Sequence, residues 1–217
     1  MNNSPDNLPP EASPPPVGRP RWPAIIALLA IGLLFLALSP QRTLGLGWLL
    51  LPILVVMIIM IRGAHWRGLH GLNRLLAVSA AGITTGALIA SVGLLVMSLP
   101  DRKTGAASLL TDAIVLWVTN VVVFALWYWL VDGGGPMKRR SDDHEAADFL
   151  FPQTLIEGMK WVPGFIDYLF LAFNISTAFS PTDTPIMSTR AKLLMMLQAS
   201  LSLVMLAVLA ARAINTF

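Results

Sequence analysis

The residues with the strongest chemical character lie near the C-terminal end of the chain, where hydroxyl, amide and carboxylate side chains crowd together. They are Asn174, Ser176, Thr177, Ser180, Thr182 and Asp183. Oxygen atoms of this kind can replace part of the hydration shell of a cation, and a carboxylate raises the local cation concentration. The run offers no nucleophile with a neighbouring base. The chemistry it favours is therefore cation binding or passage.

An apolar helix precedes this polar run and must position it. Residues 166–179 make a helix of about 21 Å, too short to cross a bilayer core of about 30 Å. Pro181 and Pro185 prevent the helix from continuing. Irregular backbone at membrane depth is tolerated only against protein or water. We therefore predict that residues 163–180 form a short re-entrant helix, with a sixth crossing helix as the alternative.

A longer apolar helix follows, at residues 188–215, and is long enough to cross a bilayer. Met195, Gln198 and Ser202 share one face of it. These side chains can line a wet path, or they can act as hydrogen-bonding groups between helices, and the sequence favours neither. Residues 163–217 are accordingly predicted as a pore-like helix, a polar loop and a final transmembrane helix.

The composition is that of a polytopic membrane protein: 55% of the residues are hydrophobic, 12% are charged, and the mean hydropathy is +0.69. Apolar runs predict four further transmembrane helices, at residues 23–39, 46–61, 75–99 and 109–131. The predicted fold is thus all-α, a bundle of five transmembrane helices plus the short helix, in the cell inner membrane. The bilayer is the expected partner. The net charge of +3 reflects short basic loops and does not indicate nucleic-acid binding.

Two polar residues interrupt the fourth span, Asp112 and Asn120. Buried charge in a membrane is costly enough to mark functional candidates. Asp112 is also near the helix start, where it can reach the headgroups. Asn120 is interpreted first as an interhelical hydrogen-bonding group and second as a permeation residue.

The third span carries small residues at every fourth position, Gly82, Gly86 and Ala90, with Gly93 adjoining. Such a strip lets another helix approach closely. We expect packing within the chain, with a dimerisation face as the alternative.

The remaining segments are polar. Residues 1–22 are Pro-rich and are predicted to be a disordered tail. Residues 133–162 are predicted to form a charged loop followed by an interfacial helix. His65 and His70 lie in a loop with no carboxylate nearby in sequence, whereas His144 stands among acids, for which a solvated charged loop is favoured over a weak metal site. No catalytic or phosphate-binding motif occurs. No metal, cofactor or enzymatic activity is expected.

The C-terminal arrangement resembles the pore module of potassium-type channels, in which a re-entrant helix, a filter loop and an inner helix follow one another. Thr177 and Asp183 fall in register with the threonine and aspartate of that filter. Ser180, Pro181 and Thr182 stand where the filter has Gly-Tyr-Gly. The resemblance implies a pore loop, and these replacements imply poor selectivity for potassium.

A second resemblance is to an uncharacterised family of bacterial integral membrane proteins, and it implies a class without a function. It is carried by Asp132-Gly-Gly-Gly-Pro136, Asp148-Phe-Leu-Phe-Pro-Gln153, Asp167-Tyr-Leu and other segments.

Together these patterns predict an oligomeric, channel-like protein that passes monovalent cations. A non-conducting membrane scaffold and a small transporter are the alternatives. The charge of residues 62–74 and 137–148 predicts that both lie in the cytoplasm, whereas a potassium-type pore loop enters from outside. We follow the charge for orientation.

Overall fold

The structure is a computed structural model that describes residues 22–99, 105–136, 138–140, 146–156, 161–177 and 183–214. Six α-helices organise these residues: α1 Trp22–Ala37, α2 Gly47–Trp66, α3 His70–Met97, α4 Ala106–Val131, α5 Phe165–Ser176 and α6 Thr189–Ile214. The described ranges contain no β-strand, only an isolated antiparallel bridge between Phe149 and Ile186. The predicted all-α architecture is confirmed. The predicted tail, apart from Trp22, lies outside the described residues.

Four of the described helices are long and apolar enough to cross a membrane, namely α2, α3, α4 and α6. The helices α1 and α5 are apolar but shorter, with 16 and 12 residues. The α2 helix runs to Trp66 and α3 begins at His70, so both extend beyond the predicted spans. A turn of residues 67–69 joins them, with Gly68 at a φ of 69°. The chain is therefore a membrane-embedded helical protein.

The α4 helix lies at the centre of the bundle, in contact with α1, α3, α5 and α6. Its side chains are buried on several sides, and Leu109, Leu116 and Phe124 are fully inaccessible. A helix that is apolar all round is suited to this position. We call the end of the bundle that holds the α2–α3 turn and residues 132–136 the basic end, and the opposite end the far end.

The α1 and α2 helices form a hairpin with a close contact. A Cβ atom added to Gly32 would lie 2.6 Å from Leu51 Cδ1 and 3.1 Å from Leu51 Cα. A side chain at position 32 would therefore force Leu51 to shift. The contact fixes the two helices side by side.

The small-residue strip on α3 faces outward. Gly82, Gly86, Ala90 and Gly93 are all exposed, and a Cβ atom at any of the three glycines would meet nothing within 4 Å. The expectation that the strip packs within the chain is wrong, because the larger neighbours of the strip, such as Leu88, turn inward instead.

The loop between α4 and α5 packs into the basic end. Phe149 and Phe151 are buried, and their rings lie 6.2 and 5.4 Å from the Tyr168 ring. In place of the predicted interfacial helix, the described part of residues 149–162 has a four-residue 3-10 helix, Pro152–Leu155. The aromatic side chains gain more apolar burial by entering the bundle.

The α5 helix covers about half the length of the bundle. At its start, Phe165 packs against Trp129 of α4. At its last residue, Ser176 contacts Asn120, nine residues and about 14 Å further along α4. The chain is back at the basic end by residues 185–187, where the Met187 amide donates to the Asp148 carbonyl oxygen at 2.9 Å.

Candidate functional site

A polar cluster lies where α4, the end of α5 and α6 meet. We call it the mid-bundle cluster. It consists of Asn120, Tyr128, Ser176, Gln198 and Ser202, each no more than 2% exposed. Buried polar groups in an apolar bundle are stable only when they are hydrogen-bonded to one another.

Both the nitrogen and the oxygen of the Gln198 side-chain amide, on α6, are hydrogen-bonded. Its Nε2 atom donates to the Ala172 carbonyl oxygen and to Ser176 Oγ, both at 2.7 Å. Its Oε1 atom accepts from the Tyr128 hydroxyl. Through these bonds α6 holds the last turn of α5.

Asn120 of α4 completes the cluster. Its Nδ2 atom donates to Ser202 Oγ at 2.8 Å and makes longer contacts of 3.3 Å to the Gln198 carbonyl oxygen and 3.4 Å to Ser176 Oγ. Its Oδ1 atom is buried and has no hydrogen-bond partner. The predicted hydrogen-bonding role between helices is therefore present in the structure.

The end of α5 needs partners for its last carbonyl groups, which a helix leaves without intrahelical donors. Trp117 of α4 supplies one, because its indole Nε1 donates to the Ser176 carbonyl oxygen at 3.2 Å. Its ring also lies 5.8 Å from Phe173, edge to face. Trp117 is a neighbour that sequence reasoning did not assign to the site.

The predicted pore residues divide between two sides of α5. Ser176 faces inward, whereas Asn174 and Thr177 are partly exposed on the outer side. The Asn174 amide donates to the Phe170 carbonyl oxygen at 2.9 Å, and the Thr177 hydroxyl donates to the Asn174 carbonyl oxygen at 3.0 Å. These two side chains are thus bonded to their own helix.

The other predicted residues lie elsewhere or outside the described residues. Asp183 is exposed in the segment that precedes α6. Met195 is half-buried against the apolar core. Ser180 and Thr182 lie outside the described residues. The structure thus gathers Asn120, Ser176, Gln198 and Ser202.

Asp112 belongs to a separate ion pair at the far end. Its carboxylate accepts from Arg42 Nε at 3.1 Å, and both side chains are 2% exposed. Ser39 donates to it from its backbone amide at 3.0 Å and from its hydroxyl at 2.7 Å. Asp112 is therefore buried among protein atoms, and its depth in the membrane stays a prediction. No sequence pattern identifies Arg42 as its partner.

A second charged group, the end cluster, lies at the basic end and consists of Asp132, Arg139, Asp148, Tyr168 and Arg190. Asp132 Oδ1 accepts from the backbone amide of Asp148 at 2.7 Å, and Asp132 Oδ2 accepts from Tyr168 at 2.5 Å and from Arg139 at 3.2 Å. The carboxylate of Asp132 therefore joins the end of α4 to the loop and to α5.

Asp148 joins the same loop to α6. Arg190 donates to its two oxygens at 2.7 and 2.8 Å, a bidentate pair. The Gly133 amide donates to Asp148 Oδ2 at 3.2 Å, and Gly133 has a φ of 56°, which glycine adopts readily. Burial raises the pKa of Asp148, but hydrogen bonds from Arg190 and Ser188 and the charge of Arg190 bring the pKa below its ordinary value.

The end cluster brings into contact several segments that are far apart in the sequence. Asp132, Gly133, Asp148 and Tyr168 come from the stretches that carry the second resemblance, and the structure brings them into contact. Among the described residues, no three His, Asp or Glu side chains gather where they could hold a metal ion.

These features define a membrane-embedded helical protein with an apolar bundle, a half-length helix and a buried polar cluster at its end. Comparison with protein-family models, with curated proteins and with solved structures finds no significant match to the chain. Its function must be argued from its own residues.

Proposed function

We propose that the protein is an oligomeric, channel-like protein of the cell inner membrane that passes monovalent cations with little selectivity. The observation that carries the proposal is the half-length α5 helix, which ends at mid-depth with Asn174 and Thr177 on its outer side. In a lone chain these polar groups would face lipid. A wet path shared between copies gives them a polar environment.

Electrostatics favours a cation at this position. The C-terminal end of a helix carries a partial negative charge, and the end of α5 points toward mid-depth. Hydroxyl and carbonyl oxygens of Asn174 and Thr177 can replace part of the hydration of a cation, and Asp183 raises the cation concentration at the entrance.

The mid-bundle cluster serves as the anchor of this half-helix. Ser176, Gln198 and Ser202 are occupied by hydrogen bonds within one chain, so the proposed path runs along the outer side of α5. One such side cannot enclose a path, and several copies are needed. The outward glycine strip on α3 offers a face on which copies can approach.

The proposal counts α1 as the fifth crossing helix and α5 as re-entrant. A helix of 16 residues is about 24 Å long, and interfacial residues such as Trp22 can make up the rest of the thickness. The basic end is assigned to the cytoplasm by its Arg and Lys residues, and α5 then enters from that side.

Weak selectivity follows from the loop sequence. A ladder of inward carbonyls requires backbone that glycine adopts readily, and this chain has Ser180 and Thr182 there, with the fixed φ of Pro181 between them. A filter tuned to one cation is hard to build from these residues.

Cation flux into liposomes tests the proposal. Thr177→Val and Asp183→Asn are each expected to lower flux several-fold, because they remove an oxygen ligand and a charge. Thr111→Val is the matched control: Thr111 is also exposed and also donates to its own helix, to the Ala107 carbonyl oxygen at 3.0 Å. It should conduct like the parent.

Two outcomes would count against the proposal. The absence of flux above empty liposomes in a folded, oligomeric preparation would contradict conduction, and flux that both substitutions leave unchanged would contradict a path past Thr177 and Asp183.

A non-conducting membrane scaffold is the second candidate. It is favoured by the mid-bundle cluster itself, because its buried side chains hydrogen-bond to one another and only Asn120 Oδ1 among their buried polar atoms has no partner. In a scaffold, α5 only has to pack against α4 and α6. The same liposome measurement separates the two candidates, because only the channel requires flux.

A further inference from the structure

A cavity of about 510 Å³ opens at the basic end between α1, α2, α3 and α4. Its deep walls are apolar and include Leu28, Ile58 and Leu126. Its mouth is lined by basic side chains and histidines: Arg62, His65, His70, Arg74 and Lys138. The volume lies within the range of about 300–1,000 Å³ that is usual for small-molecule sites.

The charge of this cavity has one sign. No described residue that lines it is acidic, and Arg62 and Arg74 are exposed at its mouth. The Arg62 guanidinium lies 5.8 Å from the Trp66 ring. Trp and Arg side chains together mark the level of the lipid headgroups. The cavity therefore combines an apolar interior with a cationic mouth at the membrane surface.

An unpaired donor supplies an independent sign of a ligand. Asn73 lines the same cavity and is only 8% exposed, and its Nδ2 atom is buried without a hydrogen-bond partner. A buried amide donor left unpaired is costly. An acceptor oxygen that enters the cavity would remove this cost.

We propose that this cavity binds one acidic phospholipid from the surrounding bilayer. The phosphate lies among Arg62, Arg74 and Lys138, an oxygen of the headgroup or ester region accepts from Asn73, and an acyl chain occupies the apolar interior. Basic recesses between transmembrane helices bind anionic headgroups by this combination of charge and apolar contact. A soluble phosphate would leave the apolar interior unused.

This site is separate from the proposed path. The cavity is built from α1 to α4, the turn after α4 and Lys138, whereas the path runs along α5. Lipid binding therefore does not depend on conduction, and either proposal can fail alone.

Native mass spectrometry of the detergent-purified protein tests the site by titration with phosphatidylglycerol and with phosphatidylcholine of the same acyl chains. The parent is expected to prefer phosphatidylglycerol. In the Arg62→Gln/Arg74→Gln double variant its affinity should fall about 25-fold, because each basic group near an anionic lipid contributes about fivefold. Ala77→Phe, which puts a ring into the cavity, should weaken both lipids.

Arg67→Gln is the matched control. Arg67 is an exposed arginine in the turn between α2 and α3 and does not line the cavity. Its loss should leave the preference for phosphatidylglycerol unchanged. Circular dichroism checks that each variant is folded. The proposal is overturned by equal binding of the two lipids, by an equal loss in Arg67→Gln, or by displacement of the lipid by inorganic phosphate at the same concentration.

Discussion

At the scale of single residues, the protein hides most of its functional-looking polar side chains from lipid by pairing them with one another. Asn120, Ser176, Gln198 and Ser202 hydrogen-bond to one another in the middle of the bundle, and Asp112 is held by Arg42 at the far end. Removing one of these groups leaves its buried partner without a hydrogen bond in an apolar environment, which is costly. Each of them therefore has a structural role whatever the protein does.

Asp148 gives a test at this scale. The pKa of its carboxyl group is lowered in the folded protein, so its ionised form stabilises the fold above the ordinary aspartate pKa of about 4. This contribution is lost as the pH falls through that value toward the lowered one. At pH 7 Asp148→Asn should lower the melting temperature by about 4–8 °C, from about 2 kcal/mol of lost interaction.

Thermal unfolding in detergent, followed by circular dichroism at several pH values, checks this. The difference between parent and variant should shrink as the pH falls below about 4. Asp183→Asn, which removes an exposed carboxylate at the same end, should shift the melting temperature less. A difference that stays constant with pH would show that the charge of Asp148 does not stabilise the fold.

At the scale of helices, the sequence predicts that a helix exists more reliably than it predicts where the helix ends or which of its faces is buried. Apolar runs located the long helices, because crossing a membrane requires about twenty apolar residues. They did not show that α2 continues to Trp66, since Arg62 and His65 stay helical while extending to the surface. The outward direction of Gly86 also depends on tertiary packing, which spacing alone does not encode.

The type of Asn120 and its position within a span predict an interhelical hydrogen-bonding group, whereas for Gln198 and Ser202 the sequence leaves this role and a pore-lining role equally open. The structure joins all three by hydrogen bonds. Arg42 could not be predicted as the partner of Asp112, because it lies in a short 3-10 helix 70 positions before Asp112. No local pattern connects residues so far apart in sequence.

Substituting a glycine of α1 and a glycine of α3 is expected to affect the melting temperature differently. Gly32→Leu should lower the melting temperature by a few degrees, because the new side chain meets Leu51 and overpacking costs about 1–3 kcal/mol. Gly86→Leu should leave the melting temperature of the monomer unchanged, since no atom lies within 4 Å of its Cβ position. It should instead weaken self-association.

Sedimentation velocity in detergent and thermal unfolding measure the two effects separately. A parent protein that is strictly monomeric while fully helical would remove the oligomer from the proposed function. An oligomeric Gly86→Leu variant would show that copies meet on another face.

At the scale of the whole molecule, the two ends of the bundle differ in construction. The far end closes around the buried Arg42–Asp112 pair, whereas the basic end joins α4, α5 and α6 through the end cluster. Both ends of the half-length helix are thus held: its start by the end cluster and its last turn by the mid-bundle cluster. A helix fixed in this way can hold Asn174 and Thr177 at a constant depth, as the proposed path between copies requires.

The central claim is that the outer side of α5 borders a wet path between copies. The chain has no cysteine, so Thr177→Cys introduces a single thiol. Its cation flux in liposomes would be measured before and after a charged, membrane-impermeant thiol reagent is added, with Ser200→Cys, exposed on α6, as the control. The proposal predicts that the reagent modifies and blocks the Thr177→Cys protein and leaves the flux of the control unchanged. A Thr177→Cys protein that conducts but is neither modified nor blocked would contradict it.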